Sequence, residues 1–541
     1  MTTMTLRKAL GVLAKSSPFS VSTVSKRQND CFDGLKEKLY VKQQIETDFA
    51  QLLCSLKSNE IIFLCGSSGD GKSEILTRYY NEYKDKCSFH MDATHSFAPH
   101  QSAIDALDQV FDTNVSSSQP LVVGINIGML ANFAKEGASR HACLREKMDV
   151  FLASEERKVD NLYFLDFEKY PKFNFTEDGY ASSSFAKELM RNLTRSDSEN
   201  PFYCLATEDE KRATDQMLLA NFKLLALGGV QDVIITYLFK ARLIKDQFIT
   251  TRALLDFLHH LLLGPGYIFD NLFESNGNDL VGRLEDFDPV RIHTQSLDQF
   301  VLRYELGLPD EELDVFLLEL KEFNISLTRG NESRGAAASL IRLFSLMRNE
   351  SLGNGYHQKY KGEFDENLLT RYSKVWKLHN DYDGSSESQT ALKRFYNNEL
   401  MTGIQRYANR RAPELRMAKD EIFLGAFGSV KLSASIKVKV DFESIDKSIK
   451  EKNTYFNARL KISNQILPPI QINLNFYELI CKLNSGYRPN KYDKSAVVFL
   501  DEVVGHITTI AKSTSVLKFY EGNKTYFASH EDGRFEIRGE L

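Results

Sequence analysis

Apolar residues along this chain follow successive rhythms. Apolar runs at residues 61–65, 121–125 and 162–165 predict buried strands, 121–125 being apolar on both faces, and the mixed stretch 87–91 predicts another short strand. Between them, residues 73–83, 103–111 and about 129–153 repeat their apolar positions with helical period. Strands that alternate with helices in this way predict a parallel sheet covered by helices on both sides. Helical period also marks residues 35–56, 208–263 and most of 264–350.

The period switches to two near residue 421. Residues 431–440, 455–462 and 470–474 alternate like half-exposed antiparallel strands. Residues 516–520 and 524–528 pair naturally across Gly522-Asn523, and Asp532-Gly533 offers another tight turn. Val497, Leu500, Val504, Ile507 and Ala511 line one face, so that stretch reads as a helix despite ending its apolar run in Asp501-Glu502. The expected fold class is α/β: a parallel sheet with a helical lid, then a helical region and a C-terminal α+β domain. The expected divisions are 1–58 (an N-terminal helical segment), 59–200 (the sheet core), 201–350 (helical lid and extension), 351–420 (a basic and aromatic helical region) and 421–541.

Composition narrows this little. A chain of 541 residues with 42% hydrophobic and 26% charged content is ordinary for globular protein and long enough for several domains. A net charge of -5 means that any nucleic-acid contact must be local or come through another protein. Seven scattered cysteines without a Cys-x-x-Cys pair fit a reducing cytoplasm and give neither a zinc site nor a disulfide framework. No signal peptide is legible near the N-terminus and no run reaches about 18 apolar residues, so a soluble, cytoplasmic protein with no membrane segment is expected.

Chemistry concentrates where the first run breaks. Gly66-Ser67-Ser68-Gly69-Asp70-Gly71-Lys72-Ser73 has the spacing of a P-loop, with a strand before it and a helix after it. Glycines let backbone N–H groups turn toward phosphate, and the helix N-terminus adds its positive end. Lys72 would reach the β- and γ-phosphates of ATP, and Ser73 would place a hydroxyl on Mg²⁺.

Hydrolysis needs an acid at a neighbouring strand end, and commonly a polar residue that senses the γ-phosphate. Two registers are open. Counted by strand order the third strand should carry the acid, yet it ends in Asn126, whereas the fourth ends in Asp166. The second register takes Asp92 as the acid, placing it on Mg²⁺ with Ser73, and Asn126 as the sensor. It makes better chemical sense of Asn126 and is preferred, although it sets the acid close to the loop in sequence. Each of the three also suits a solvated strand end or a helix cap.

Further along, Ile249-Thr250-Thr251-Arg252-Ala253-Leu254-Leu255 looks like the helix start in an AAA+ lid, with Arg252 stabilising charge on the γ-phosphate; pairing with Asp256 is the plain alternative. Loop and lid together make the expected α/β fold that of a P-loop NTPase (AAA+-like). Pro309-Asp310 and Glu319-Leu320-Lys321 imitate a nuclease signature, but helical spacing through Leu313, Phe316, Leu317 and Leu320 sets it aside. Residues 351–420 interleave basic side chains with Tyr360, Tyr372, Trp376, Phe395, Tyr396 and Tyr407, as a DNA-contacting surface would. Acids dilute the stretch, which equally fits a solvated helical face; Arg406, Arg410 and Arg411 are its least diluted part.

The P-loop, Asp92-Ala93-Thr94-His95-Ser96, Val123-Gly124-Ile125-Asn126-Ile127-Gly128, residues 162–168 and Thr251-Arg252-Ala253-Leu254-Leu255 occur in an order that resembles the DptF (DndF) family of phosphorothioation-dependent DNA restriction proteins. The resemblance runs nearly end to end. It implies an ATP-binding, ATP-hydrolysing component of an antiviral defence complex that acts on DNA lacking a backbone sulfur mark. It also implies DptG-like and DptH-like partners, with DNA met directly or through the complex. A homo-oligomer is compatible with it.

Overall fold

Alternate residues of a strand face opposite ways, and in the strands Ile61–Cys65 and Leu121–Ile125 both sets are apolar and buried. The computed structural model describes residues 4–14, 31–94, 100–117, 119–154, 156–245, 248–327, 336–365, 367–446, 454–462, 464–489, 493–512, 516–522, 524–531 and 534–540. The chain forms two units, one of residues 1–174 and 181–365, the other of residues 175–180 and 366–541.

In the first unit, β1 (Ile61–Cys65), β2 (Ser88–His90), β3 (Leu121–Ile125), β4 (Lys158–Val159) and β5 (Leu162–Asp166) form one sheet in the order β2-β3-β1-β5-β4. β1 pairs parallel with β3 and β5, β2 parallel with β3, and only β4 runs antiparallel. Ile61, Phe63, Val123 and Phe164 face a core with Phe111, Phe133, Met148 and Phe151. Ile62, Leu64, Val122 and Leu165 face a second core with Ile45, Phe49, Leu53 and Leu76. Each such side chain taken fully from water contributes about 1.5–3 kcal/mol, so the pairing of β1 between two neighbours is fixed from both faces.

The expected helix over 129–153 is two helices, Ile127–Glu136 and Ala142–Ser154, divided by a turn. Gly137 leaves helical backbone at φ -58°, ψ 156°, and the Arg145 guanidinium donates to the exposed carbonyls of Ala134 and Lys135 at 2.8 and 2.6 Å. The expected helix over 35–56 is likewise Cys31–Leu39 and Gln44–Ser55. The described residues of 201–263 form four helices, the last being Thr251–Leu263. Asp310 caps the helix Glu311–Glu319, so Glu319 and Lys321 stand on helical turns, as the sequence reading required. Among the described residues no single helix is long and apolar enough to cross a membrane, and the apolar pair Gln216–Leu225 and Gly228–Lys245 is bent by 82°.

The second unit combines helices with an antiparallel sheet. β6 (Glu421–Phe427), β7 (Val430–Ser435), β8 (Val516–Glu521), β9 (Lys524–Glu531) and β10 (Arg534–Glu540) lie in the order β10-β9-β8-β7-β6. The β8–β9 hairpin expected from the sequence forms, with Leu517 opposite Ala528 and Phe519 opposite Tyr526. The helix at Val497 is Lys494–Ala511. Strands expected at 431–440 and 455–462 are each broken into two short ones. His95 and Ser96, Asn523, and the turn at Asp532-Gly533 lie outside the described residues.

Candidate functional site

β1 ends at Cys65, and the chain then turns through residues 66–71 into the helix α1 (Lys72–Tyr83). Gly69 at φ +89° and Gly71 at φ +106° take left-handed backbone, which residues with a side chain rarely adopt. Gly71 is the N-cap of α1, so the helix begins directly at the loop and its amide dipoles converge there. Ser67 and Ser68 are exposed, and Ser73 is half-buried on the first turn of α1.

Two charged side chains bond the loop's own backbone. The Lys72 ammonium donates to the carbonyls of Gly66 and Ser67 at 2.9 and 2.8 Å, closing over the loop's own backbone. Burial holds its pKa below the usual lysine value, and the nearby charges of Asp70 and Asp92 oppose that shift. Asp70 is fully buried: its carboxylate accepts from the Ser67 amide at 2.7 Å and pairs with Lys172 at 3.1 Å. Lys172 is itself 5% exposed, among the rings of Phe167, Phe185 and Phe248. Its pKa is depressed by burial, with Asp70 acting in the opposite sense. A small cavity beside it is lined by Phe167, Tyr170, Arg242 and Phe248.

The helix expected to form a lid begins against this loop. Thr250 caps it by accepting from the Ala253 amide at 3.1 Å. The Arg252 amide donates to the Gly69 carbonyl, and the Thr251 hydroxyl to the Asp70 carbonyl, each at 3.1 Å. A Cβ placed on Gly69 would stand 3.0 Å from the Arg252 Cβ, a tight approach that adds to the left-handed backbone in favouring glycine there. Residues 250–252 and 66–72, separated by about 180 positions in sequence, therefore share one site. The Asp256 carboxylate accepts from Asn278 at 3.0 Å.

Parallel register brings the strand ends to the same edge. Cys65 aligns with Ile125 and with Asp166, so Asn126 and Asp166 flank the start of the loop on its two sides. One strand further out, His90 aligns with Val123, and Ala93 N–H bonds to the Gly124 carbonyl at 2.9 Å, carrying Asp92 alongside. The interposed strand thus ends in Asn126 and the next one leads to Asp92. Each polar side chain has a local backbone partner: Asn126 accepts from Met129 N–H at 2.6 Å, Asp166 from Glu168 N–H at 3.1 Å, and Asp92 from Thr94 N–H at 3.0 Å and the Thr94 hydroxyl at 2.7 Å. Among the described residues no cluster of three or more His, Cys, Asp or Glu could hold a metal ion.

Arg406, Arg410 and Arg411 lie in the second unit. Arg406 donates to the carbonyls of Leu483, at 3.3 Å, and of Asn484, at the end of the helix Leu474–Asn484. Arg410 lies 3.5 Å over the Tyr407 ring and pairs with Asp501 at 3.3 Å, and Arg411 is exposed. The aromatic side chains interleaved with these charges are largely core: Tyr372, Phe395, Tyr396 and Tyr407 are buried, so they present no ring face for base stacking.

Sequence reasoning missed Lys172 and the Asp70 pairing. Lysine within Tyr170-Pro171-Lys172-Phe173 gave one signal, a charge set among apolar residues just beyond a strand end. No protein-family model matches this chain, and neither does any curated protein or solved structure.

Proposed function

We propose that the first unit binds ATP at residues 66–73 and hydrolyses it. What supports this reading most is the glycine-turned loop, with Gly69 and Gly71 in left-handed backbone, set between a buried parallel strand and the start of α1. Loop amides and the helix N-terminus suit an anion, and Lys72 needs only to exchange two carbonyls for phosphate oxygens. Mg²⁺ would be held chiefly by phosphates and water, with the Ser73 hydroxyl as a protein ligand and Asp92, whose charge Lys72 feels, as the neighbouring acid. Bound there it would neutralise charge on the phosphates.

Strand order favours the Asp92 register. Asn126 ends the strand next to β1, where it can sense the terminal phosphate, and Asp92 follows the strand beyond. Arg252 enters from the helix Thr251–Leu263 and supplies positive charge from the lid side. Placement in a DNA restriction complex with DptG-like and DptH-like partners rests on the sequence resemblance. Arg406, Arg410 and Arg411 are the surface through which this chain would meet DNA.

A second reading has a specific observation in its favour. Asp92, Asn126 and Asp166 all bond local backbone or hydroxyl groups, which fits a nucleotide-stabilised scaffold with negligible turnover. Equilibrium ATP binding and steady-state turnover, each with and without DNA, separate the two. Lys72→Ala should abolish binding while leaving the circular dichroism spectrum unchanged; retained tight binding would overturn the site. Wild type that binds ATP and does not turn it over supports the scaffold instead.

A further inference from the structure

β10 is an edge strand: it pairs with β9 on one side, and among the described residues no strand pairs with it on the other. A free edge offers unpaired backbone donors and acceptors to any extended chain, and proteins commonly blunt it with charge of one sign. Here the signs alternate. Glu536 and Arg538 stand on the same face, 2.8 Å apart, both more than 60% exposed. Ile537, between them and on the opposite face, is 71% exposed.

We propose that this edge joins two copies of the chain about a twofold axis, β10 of one running antiparallel to β10 of the other with Ile537 on the axis. Charge order selects that arrangement. With Ile537 opposite itself, Glu536 falls opposite Arg538 of the second copy, and Arg538 opposite its Glu536. Centring on Glu536 or on Arg538 sets that residue against its own like. Parallel, in-register pairing does the same at both positions. An antiparallel offset by one residue sets charge opposite isoleucine and turns the second sheet over. Of the registers centred on residues 536–538, this one alone makes both charged pairs complementary, and it alone places the exposed Ile537 against its own copy; in it the existing Glu536–Arg538 contact becomes part of a ring of four alternating charges.

The apolar face agrees. Ala434, Leu517, Ala528 and Ile537 lie opposite one another across four strands, forming a row that ends at the exposed Ile537. The twofold continues this row into the second sheet and covers the isoleucine. Ten strands, five from each copy, then make one continuous sheet.

The test is sedimentation velocity of the full chain over a range of concentrations, at low and moderate salt. Wild type should show a concentration-dependent monomer–dimer equilibrium. Glu536→Arg and Arg538→Glu should each weaken it by roughly tenfold or more, since each sets like charges opposite one another twice. Mixing these two variants should restore dimer, because 536 of one then complements 538 of the other. The double reversal Glu536→Arg/Arg538→Glu should restore a homodimer in a single chain. Wild type that stays monomeric at every concentration, single variants that dimerise as wild type does, or a mixture that fails to recover would each overturn the proposal. Recovery on mixing also excludes misfolding as the cause of the single-variant defect.

Discussion

Replacing Lys172 by Met would remove the counter-charge of a carboxylate that has no access to water. Asp70 is fully buried and Lys172 is 5% exposed at 3.1 Å, so the pair is of the kind whose disruption from one side costs about 3–5 kcal/mol. Methionine would keep the volume and sit among Phe167, Phe185 and Phe248, returning about 0.3–1.5 kcal/mol through contacts between sulfur and rings. The net loss is about 2–4 kcal/mol. At about 2–4 °C per kcal/mol for domains of 150–250 residues, and less for a larger unit, the first unit should melt about 4–8 °C lower. Asp70 also holds the Ser67 amide, so ATP affinity should fall in the same variant. Differential scanning calorimetry and ATP titration read the two effects. The companion Asp70→Asn/Lys172→Met removes both charges and should recover most of the stability, giving a coupling energy of a few kcal/mol in a double-mutant cycle. A Lys172→Met protein as stable as wild type, or a double variant whose loss is the sum of the two single losses, would refute the claim that the buried pair stabilises the loop.

Gly124→Ala should cost about 1–3 kcal/mol and lower turnover: its Cβ would stand 2.5 Å from the Met91 carbonyl oxygen and 2.8 Å from Leu76, pushing β2 and the following Asp92 off the sheet. Thermal melts alongside ATPase rates check it. Asp92→Asn should lower turnover roughly hundredfold or more while keeping the bonds to Thr94, whereas Asp166→Asn should retain most activity; the reverse order would reassign the acid. In the second unit, burial and then the charge of Arg459 hold the His379 pKa at about 4, against 6.5 when unfolded. Between those values the unfolded chain takes up a proton that the folded chain refuses, so stability should fall by up to about 3 kcal/mol as pH drops from 6.5 toward 4. Urea titrations at several pH values measure this, and His379→Gln should flatten the slope.

The inner strands were legible because they are buried on both faces: the apolar runs at 61–65 and 121–125 have the same ends in the structure as in the sequence. Helix breaks were less so. The stop at Gly137 depends on Arg145 reaching back to free carbonyls, which periodicity does not encode. Position in the site was legible only for the loop. That Thr250, Thr251 and Arg252 meet Gly69 and Asp70 is a fact of tertiary packing foreshadowed by a motif, whereas the Asp70–Lys172 pair had no motif at all. In residues 351–420, aromatic spacing that suits stacking on bases is equally the spacing of a helical core, and burial decided for the core.

Residues 175–180 belong to the second unit although they are made long before the rest of it. Within that unit the Phe175 ring lies 5.3 Å from Trp376 and 6.2 Å from Tyr372, and Lys377 donates to the Glu177 carbonyl. A ribosome adding about 5–20 residues per second needs roughly 10–40 s to cross the intervening stretch of about 185 residues. Throughout that interval the segment waits without its aromatic neighbours. A gene cut at residue 366 would deliver each half without its natural complement: the front piece would carry an orphaned hexapeptide, and the rear piece would lack the ring that packs on Trp376. Recombinant dissection of this chain therefore calls for transplanting that hexapeptide onto the rear piece, or for expressing both halves together.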